Sequence, residues 1–194
     1  MTGEAGVAGP EPGPGRANLE IKARCADLAV ARKRARRVAT AWVGLDRQVD
    51  TYFRTPRGRL KLRESSLAGA QLVPYLRPDL AGVRRSDYRV IPVAEAAGLK
   101  ALLAEILGVH CVVRKEREIA LHHDVRIHLD RVEGLGDFLE LEAVLDGSPG
   151  TEEGARRRLA FLMDALDVAE ADLVAASYET LRVESPPPNG LAES

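Results

Sequence analysis

Lys22, Arg24, Lys61, Arg63, Arg77, Lys115, Arg117 and Arg126 fall at alternate positions of segments that read as β-strands, with Glu20, Asp130, Glu140 and Glu142 among them. A strand sends residues i, i+2 and i+4 to one face. Asn18, Glu20, Lys22 and Arg24 alternate with Leu19, Ile21 and Ala23; Arg59, Lys61 and Arg63 alternate with Leu60 and Leu62; Arg126, His128 and Asp130 alternate with Val125, Ile127 and Leu129. Each segment therefore has one polar face of mixed sign and one apolar face. A single strand of this kind is an amphipathic edge with its polar side in water. Several predict a sheet curled around a charged lumen, with helices covering the apolar outside.

Buried charges are costly unless they are paired or hold a ligand. Mutual neutralisation is the plainer reading of these faces. Yet bases outnumber acids on them, although the whole chain carries a formal charge of -1. That local excess points to a polyanion, and arginine is suited to bidentate phosphate contacts. Glu140 and Glu142 share a strand face. With Glu20 and Asp130 they would form an oxygen-rich cluster suited to Mg²⁺ or Mn²⁺, which take a few carboxylates plus substrate phosphate. An isolated ExE pair is ordinarily a solvated face; the cationic strands give this one its significance.

The elements that must position these residues follow from periodicity. A strand over 17–24 leads to Asp27 as N-cap, then to a helical stripe of Leu28, Ala31, Ala35, Val38 and Trp42, with Trp42 expected in the core. Arg32, Lys33, Arg34, Arg36 and Arg37 between those positions read as a solvated face. Strands are expected near 47–54, 59–65, 71–77 and 86–91, the first two joined at Pro56-Arg57-Gly58. Pro74 lacks a ladder donor and predicts an edge or a bulge. A helix is expected from Pro92 to Leu107, strands near 111–121, 124–132 and 137–145, a helix over 151–166 and a short one over 170–181. This order lacks βαβ alternation, so the fold class is α+β, a mostly antiparallel sheet with covering helices. About eight strands suffice for a small barrel holding one ligand.

Composition sets further bounds. A chain of 194 residues suits one domain. Aromatics at 4% are too few for stacking platforms, so no nucleic-acid partner is expected. No run reaches the roughly 20 apolar residues of a membrane span, and a cytoplasmic location is expected. Cys25 and Cys111 lack metal-ligand spacing and read as small core residues. Residues 1–16 and 183–194, rich in Gly and Pro, are expected to be disordered tails flanking one domain over 17–182. His122 and His123 are expected to be exposed, His128 to make a lumen hydrogen bond, and Asp50, Tyr52 and Tyr178 to be structural.

Taken in order, several short blocks resemble the CYTH or triphosphate tunnel metalloenzyme superfamily. They are Asn18-Leu19-Glu20-Ile21-Lys22, Asp50-Thr51-Tyr52-Phe53, Gly58-Arg59-Leu60-Lys61-Leu62-Arg63, Arg77-Pro78-Asp79, Ser86-Asp87-Tyr88, Arg114-Lys115-Glu116-Arg117, and Arg126 through Asp130 to Glu140-Leu141-Glu142. Their wording is most similar to the class IV adenylate cyclase-like branch. The resemblance implies an eight-stranded antiparallel barrel around a triphosphate. It implies metal ligands at Glu20, Glu140 and Glu142, with Asp130 as a further ligand or base. It places phosphate-binding bases at Lys22, Lys61, Arg63, Arg77, Lys115, Arg117 and Arg126, and makes Lys22 and Asp130 the catalytic candidates. Candidate substrates are inorganic triphosphate, thiamine triphosphate and ATP, and a homodimer is compatible. Asn18 departs from the family's ExExK pattern, where a glutamate is expected, which weakens one metal position. Hydrolysis, cyclisation to cyclic AMP, and binding without turnover all remain open at this point.

Overall fold

The structure is a computed structural model and describes residues 16–76, 83–145 and 151–185. Its strands are β1 (Arg16–Arg24), β2 (Ala41–Phe53), β3 (Arg59–Ser65), β4 (Gly69–Leu76), β5 (Arg84–Tyr88), β6 (Ile91–Val93), β7 (Val109–His122), β8 (Val125–Val132) and β9 (Gly136–Leu145). Its α-helices are α1 (Leu28–Val38), α2 (Ala96–Leu107), α3 (Thr151–Leu166) and α4 (Tyr178–Glu184), with a 3₁₀ turn at Glu170–Asp172.

All strand pairs are antiparallel, in the order β3-β2-β7-β8-β9-β1-β5-β4-β6. Pairing of β3 with β4 closes the circuit into a barrel. The α+β barrel expected from alternation is the one observed. Its apolar outside is covered as anticipated. Leu19, Ile21 and Ala23 of β1, Ile127 and Leu129 of β8 and Leu139 and Leu141 of β9 are buried. They lie beneath Leu28, Ala31 and Ala35 of α1 and Ala155, Leu159, Leu162 and Leu166 of α3. Asp27 caps α1 through its carboxylate, which accepts from the amides of Ala29 and Val30 at 2.7 and 3.1 Å.

Pro74 is neither on an edge nor in a bulge. β4 is flanked by β3 on one side and by β5 and β6 on the other, and β5 and β6 continue one register along it: Tyr75 opposes Tyr88 and Leu72 opposes Ile91. The break between them falls opposite Pro74. Arg89 N donates to Pro74 O at 3.2 Å, and the reciprocal bond has no donor. The missing hydrogen thus divides what would be one strand into two.

Three other expectations change. Trp42 is not on α1, which ends at Val38 with Ala39 extended. It is the second residue of β2, which starts six residues before the expected strand, and is partly exposed with Arg36 over its ring. The chain around Pro92 is strand β6, and α2 begins only at Ala96. The final helix is Tyr178–Glu184, capped by Ser177, whose side chain accepts from Thr180 N at 3.0 Å. It therefore extends past the expected end of the domain at 182. Residues 1–15 and 186–194, the bulk of the expected tails, lie outside the described residues.

Candidate active site

Strand register places the charges of the lumen opposite one another. Across β1 and β9, Lys22 faces Glu140 and Glu20 faces Glu142. Across β8 and β9, His128 faces Glu140 and Arg126 faces Glu142. Arg117 of β7 faces Asp130 of β8, and Asp50 of β2 faces Arg63 of β3. Directly opposed side chains in a sheet are close enough to pair, and here they do. Lys22 Nζ lies 2.9 Å from Glu140 Oε1. Arg117 forks onto Asp130, with Nε to Oδ1 at 2.7 Å, and also reaches Glu140. Arg63 forks onto Asp50 at 2.7 and 2.8 Å, and Lys61 Nζ donates to the same carboxylate at 2.9 Å. Arg126 donates to Glu142 at 3.2 Å, and the Asn18 amide nitrogen donates to the same carboxylate oxygen.

One cavity, with a volume of ≈ 150 Å³, collects most of the expected site. Its wall includes Glu20, Lys22, Lys61, Arg63, Lys115, Arg117, Glu140 and Glu142. Two expected residues stand elsewhere. Arg126 pairs with Glu142 from outside the described cavity wall and is partly exposed. Asp130 departs most from expectation: it is fully buried, and its oxygens accept from Arg117 and from Tyr178 Oη at 2.8 Å. An ion would have to displace those donors, so its geometry is that of a counter-ion orienting Arg117. Arg77 lies outside the described residues.

Three participants were missing from the sequence-derived site. Asp50, read as structural, is the shared counter-ion of Lys61 and Arg63 and is held well below the usual carboxylate range by them, against its burial. Asp46 also faces inward, accepting from Gln48 at 2.6 Å and from Ser65. Asp46, Gln48 and Asp50 alternate as the other lumen strands do; that signal was available once β2 was started early enough. Adding these aspartates removes half of the expected cationic excess of the lumen as a whole. Asp50 and Asp130 sit behind the cavity wall, however, and on the wall five cations still face three carboxylates. The third participant, Tyr178, was expected to pack rather than to close the tunnel. Its ring carries Lys22 Nζ at 3.6 Å and Lys115 Nζ at 4.9 Å, and its Oη holds Asp130. It joins Tyr52, Val113, Val132 and Phe138 in an apolar plug within the barrel.

Crowding of cations shows in the lysines. Burial, reinforced by Arg117, pushes Lys115 down from 10.5 to about 7, although Asp130 lies 3.9 Å away. Burial and Arg63 bring Lys61 to about 8. Glu140 is held well below the usual range, against its burial, by Lys22 and Arg117. Burial and Arg117 also lower His128, whose Nδ1 lies 3.9 Å from Glu140, beyond the hydrogen bond expected for it. A stability profile follows with a defined sign. The unfolded chain holds protons on both lysines up to 10.5, whereas the fold releases them near 7 and 8, so ligand-free stability should rise between pH 7 and 9. The half-buried thiol of Cys111, pushed up to about 12 from 9.0, opposes the trend above that window. Thermal melts across pH 6–9.5 would check it, and a flat or falling profile would contradict the buried lysines.

The residues also bear on metal binding. Among the described residues, no three His, Cys, Asp or Glu side chains converge as a ready-made ion site. Glu20 and Glu142 are nevertheless directly opposed, a like-charge register that a further cation between them would relieve. The carbonyl oxygen of the buried Asn18 amide beside Glu142 has no hydrogen-bond partner. Two carboxylates and a neutral oxygen fit an ion carried in with substrate phosphate better than a closed protein cage.

A closed antiparallel barrel whose lumen is walled by arginine, lysine and glutamate defines a class of polyanion-accepting proteins. The chain belongs to the CYTH domain family, whose model matches residues 17–178. It is 26% identical over 136 residues to a proposed adenylate cyclase of Methanocaldococcus jannaschii, covering 69% of this chain and 76% of that protein. The PH1012 protein of Pyrococcus horikoshii superposes with a TM-score of 0.72 at 23% identity, over 84% of this chain and 97% of the other. A Hippeastrum protein, described as a proposed adenylyl cyclase with a dominant triphosphatase activity, superposes with a TM-score of 0.57 at 13% identity, over 88% and 95%. These last two show likeness of fold.

Proposed function

We propose that this protein is a metal-dependent triphosphatase, hydrolysing a compact triphosphate held in the barrel lumen. The observation that carries this reading is the cavity wall on which Lys22, Lys61, Arg63, Lys115 and Arg117 converge around Glu20, Glu140 and Glu142. Phosphoryl transfer depends mostly on positioning and electrostatic stabilisation, which fixed guanidinium and ammonium groups provide. A volume below the roughly 300 Å³ of ordinary small-molecule pockets suits a polyphosphate chain better than a whole nucleotide.

In this mechanism Arg117 and Arg63, each locked by an aspartate behind it, present their remaining N–H groups to phosphate oxygens. Lys22, seated on the Tyr178 ring, and Lys115 and Lys61 add charge at the same wall. A Mg²⁺ or Mn²⁺ ion held by Glu20 and Glu142, with Asn18 and Glu140 nearby, would neutralise charge on the polyphosphate. Asp130 acts through Arg117 and Tyr178. Because Lys115 and Lys61 must be charged to attract the anion, binding should weaken by up to about tenfold per pH unit for each proton required as pH rises through 7 to 8. Calorimetry in buffers of different ionisation enthalpy should show proton uptake on binding in that range; uptake absent at pH 8 would contradict the assignment.

A cyclase acting on ATP is the second reading, favoured by the description of the Methanocaldococcus jannaschii relative. The two are separated by incubating the protein with inorganic triphosphate, thiamine triphosphate or ATP and Mg²⁺ or Mn²⁺, then measuring phosphate, pyrophosphate and cyclic AMP. Phosphate release supports hydrolysis, whereas cyclic AMP with pyrophosphate reverses the order. Binding without any turnover establishes a triphosphate sensor instead. Glu140→Gln and Lys22→Ala should each lower turnover by at least about 100-fold, the range for removing one transition-state donor. Unchanged rates in both would dismiss this lumen as the site.

A further inference from the structure

A second cavity, of ≈ 560 Å³, shares no wall residue with the lumen cavity. Its wall includes Phe53 and Arg54 where β2 ends, Gly58 and Arg59 where β3 begins, His110 of β7 and Glu179 of α4. Phe53 and Glu179 directly follow Tyr52 and Tyr178 of the lumen wall, so the two cavities adjoin. The volume of the second falls in the usual range of a small-molecule site, about 300–1,000 Å³. Arg59 is the one member of the Arg59, Lys61, Arg63 alternation absent from the lumen wall. It turns to the second cavity instead, where its Nε lies 2.8 Å from Glu179 Oε2 and its Nη2 donates to Thr180 Oγ1 at 3.3 Å.

Arg54 is exposed and makes no ion pair among the described residues. Its backbone N donates to Gly108 O at 3.1 Å, and a Cβ on Gly108 would stand only 3.2 Å from Arg54 Nη1. Glycine, suited to the φ of +75° at that position, therefore lets the arginine lie across the start of β7. Two guanidiniums thus line one cavity, and a carboxylate pairs with only one of them; Glu184, at the exposed end of α4, is within ion-pair distance of neither. A monoanion entering here would merely exchange for the Glu179 carboxylate. A dianion set between the two would take Arg59 over from Glu179 and also supply the counter-charge that Arg54 lacks. Guanidinium forks match phosphate oxygens, and Phe53 and Val183 give the same cavity an apolar wall for an organic body. Glu179 directly follows Tyr178, whose Oη holds Asp130 and whose ring carries Lys22, so drawing Arg59 away loosens the turn of α4 that steadies both.

We propose that this cavity is a second anion site, which takes the phosphate of a small organic phosphomonoester between Arg54 and Arg59 and signals its occupation to the lumen through Glu179 and Tyr178. The site stands or falls apart from the reaction in the lumen, because binding is measured without turnover. Titration calorimetry of the full chain with phenyl phosphate, in EDTA, is expected to show saturable binding with a dissociation constant of about 1 mM or below. Arg54→Ala, a change at an exposed position, should weaken it at least about tenfold, the worth of a charge-assisted contact, with the melting temperature unchanged. Glu179→Gln, which removes the internal competitor for Arg59, should tighten it, and Lys61→Ala on the lumen wall should leave it as it was. Phenyl phosphate should also weaken the binding of inorganic triphosphate, and triphosphate that of phenyl phosphate, by one common factor that levels off at about fivefold or more. No saturable binding by about 10 mM, or binding lost in Lys61→Ala and kept in Arg54→Ala, would overturn the site. Antagonism that grows without levelling off would mean competition for the lumen and would overturn it too, and binding with no effect on triphosphate would overturn the link through α4.

Discussion

Replacing Arg117 with alanine is expected to cost about 3–5 kcal/mol of stability and to eliminate triphosphate turnover. The side chain is buried and forks onto Asp130 while also reaching Glu140. Its loss leaves Asp130 of β8 and Glu140 of β9, diagonal neighbours across the two strands, without the guanidinium they share, the situation in which breaking a buried pair is most costly. For a domain of this size such a loss lowers the melting temperature by on the order of 10 °C. Lysine at the same position retains the charge but cannot fork, so Arg117→Lys should recover much of the stability and little of the turnover. Equal recovery of both would mean that Arg117 supplies only charge. A melting temperature unchanged in the alanine variant would show that Asp130 and Glu140 are balanced by other groups.

Asp50→Asn is expected to act in opposite directions on stability and on anion binding. Asp50 is the shared acceptor of Lys61 and Arg63, and neutralising it strands two buried cations, again at about 3–5 kcal/mol. Those cations face the cavity, so an anion placed there should replace the lost carboxylate. Thermal melts with and without inorganic triphosphate should therefore show a larger ligand-induced rise in the variant than in the wild type. If triphosphate stabilises the variant less, Asp50 is needed to hold Lys61 and Arg63 in their binding geometry rather than merely to neutralise them.

The parts of this molecule that were legible in the sequence are those written with a local period. Alternation of Glu20, Lys22 and Arg24 with Leu19, Ile21 and Ala23 assigns both faces of β1 without reference to any neighbour, and the same holds for β3 and β8. The apolar spacing of α1 and α3 identifies what covers them. What was not legible depends on which strand lies beside which. Asp50 becomes a counter-ion only because β2 and β3 pair in a register that sets it against Arg63. Asp130 resembles a ligand until Arg117 and Tyr178 are seen to occupy its oxygens. Pro74 warned of a lost donor, but which ladder would lack it depended on the partner across β4. Trp42 fits a helical stripe by spacing alone and belongs to a strand because its backbone finds β7.

The neighbours of β1 have a consequence in time. β1 carries Glu20 and Lys22 and leaves the ribosome ahead of every other strand described, yet its partners are β5 and β9, and Lys22 rests on a tyrosine later still. Its carboxylate and ammonium groups must therefore wait in water while more than a hundred residues are made. The lumen cannot be assembled by halves, because the earliest strand described takes the last one as a partner. A nascent chain stopped short of β9 would present an open, charged sheet edge with no tunnel behind it, and quality control would meet a molecule either finished or plainly unfinished.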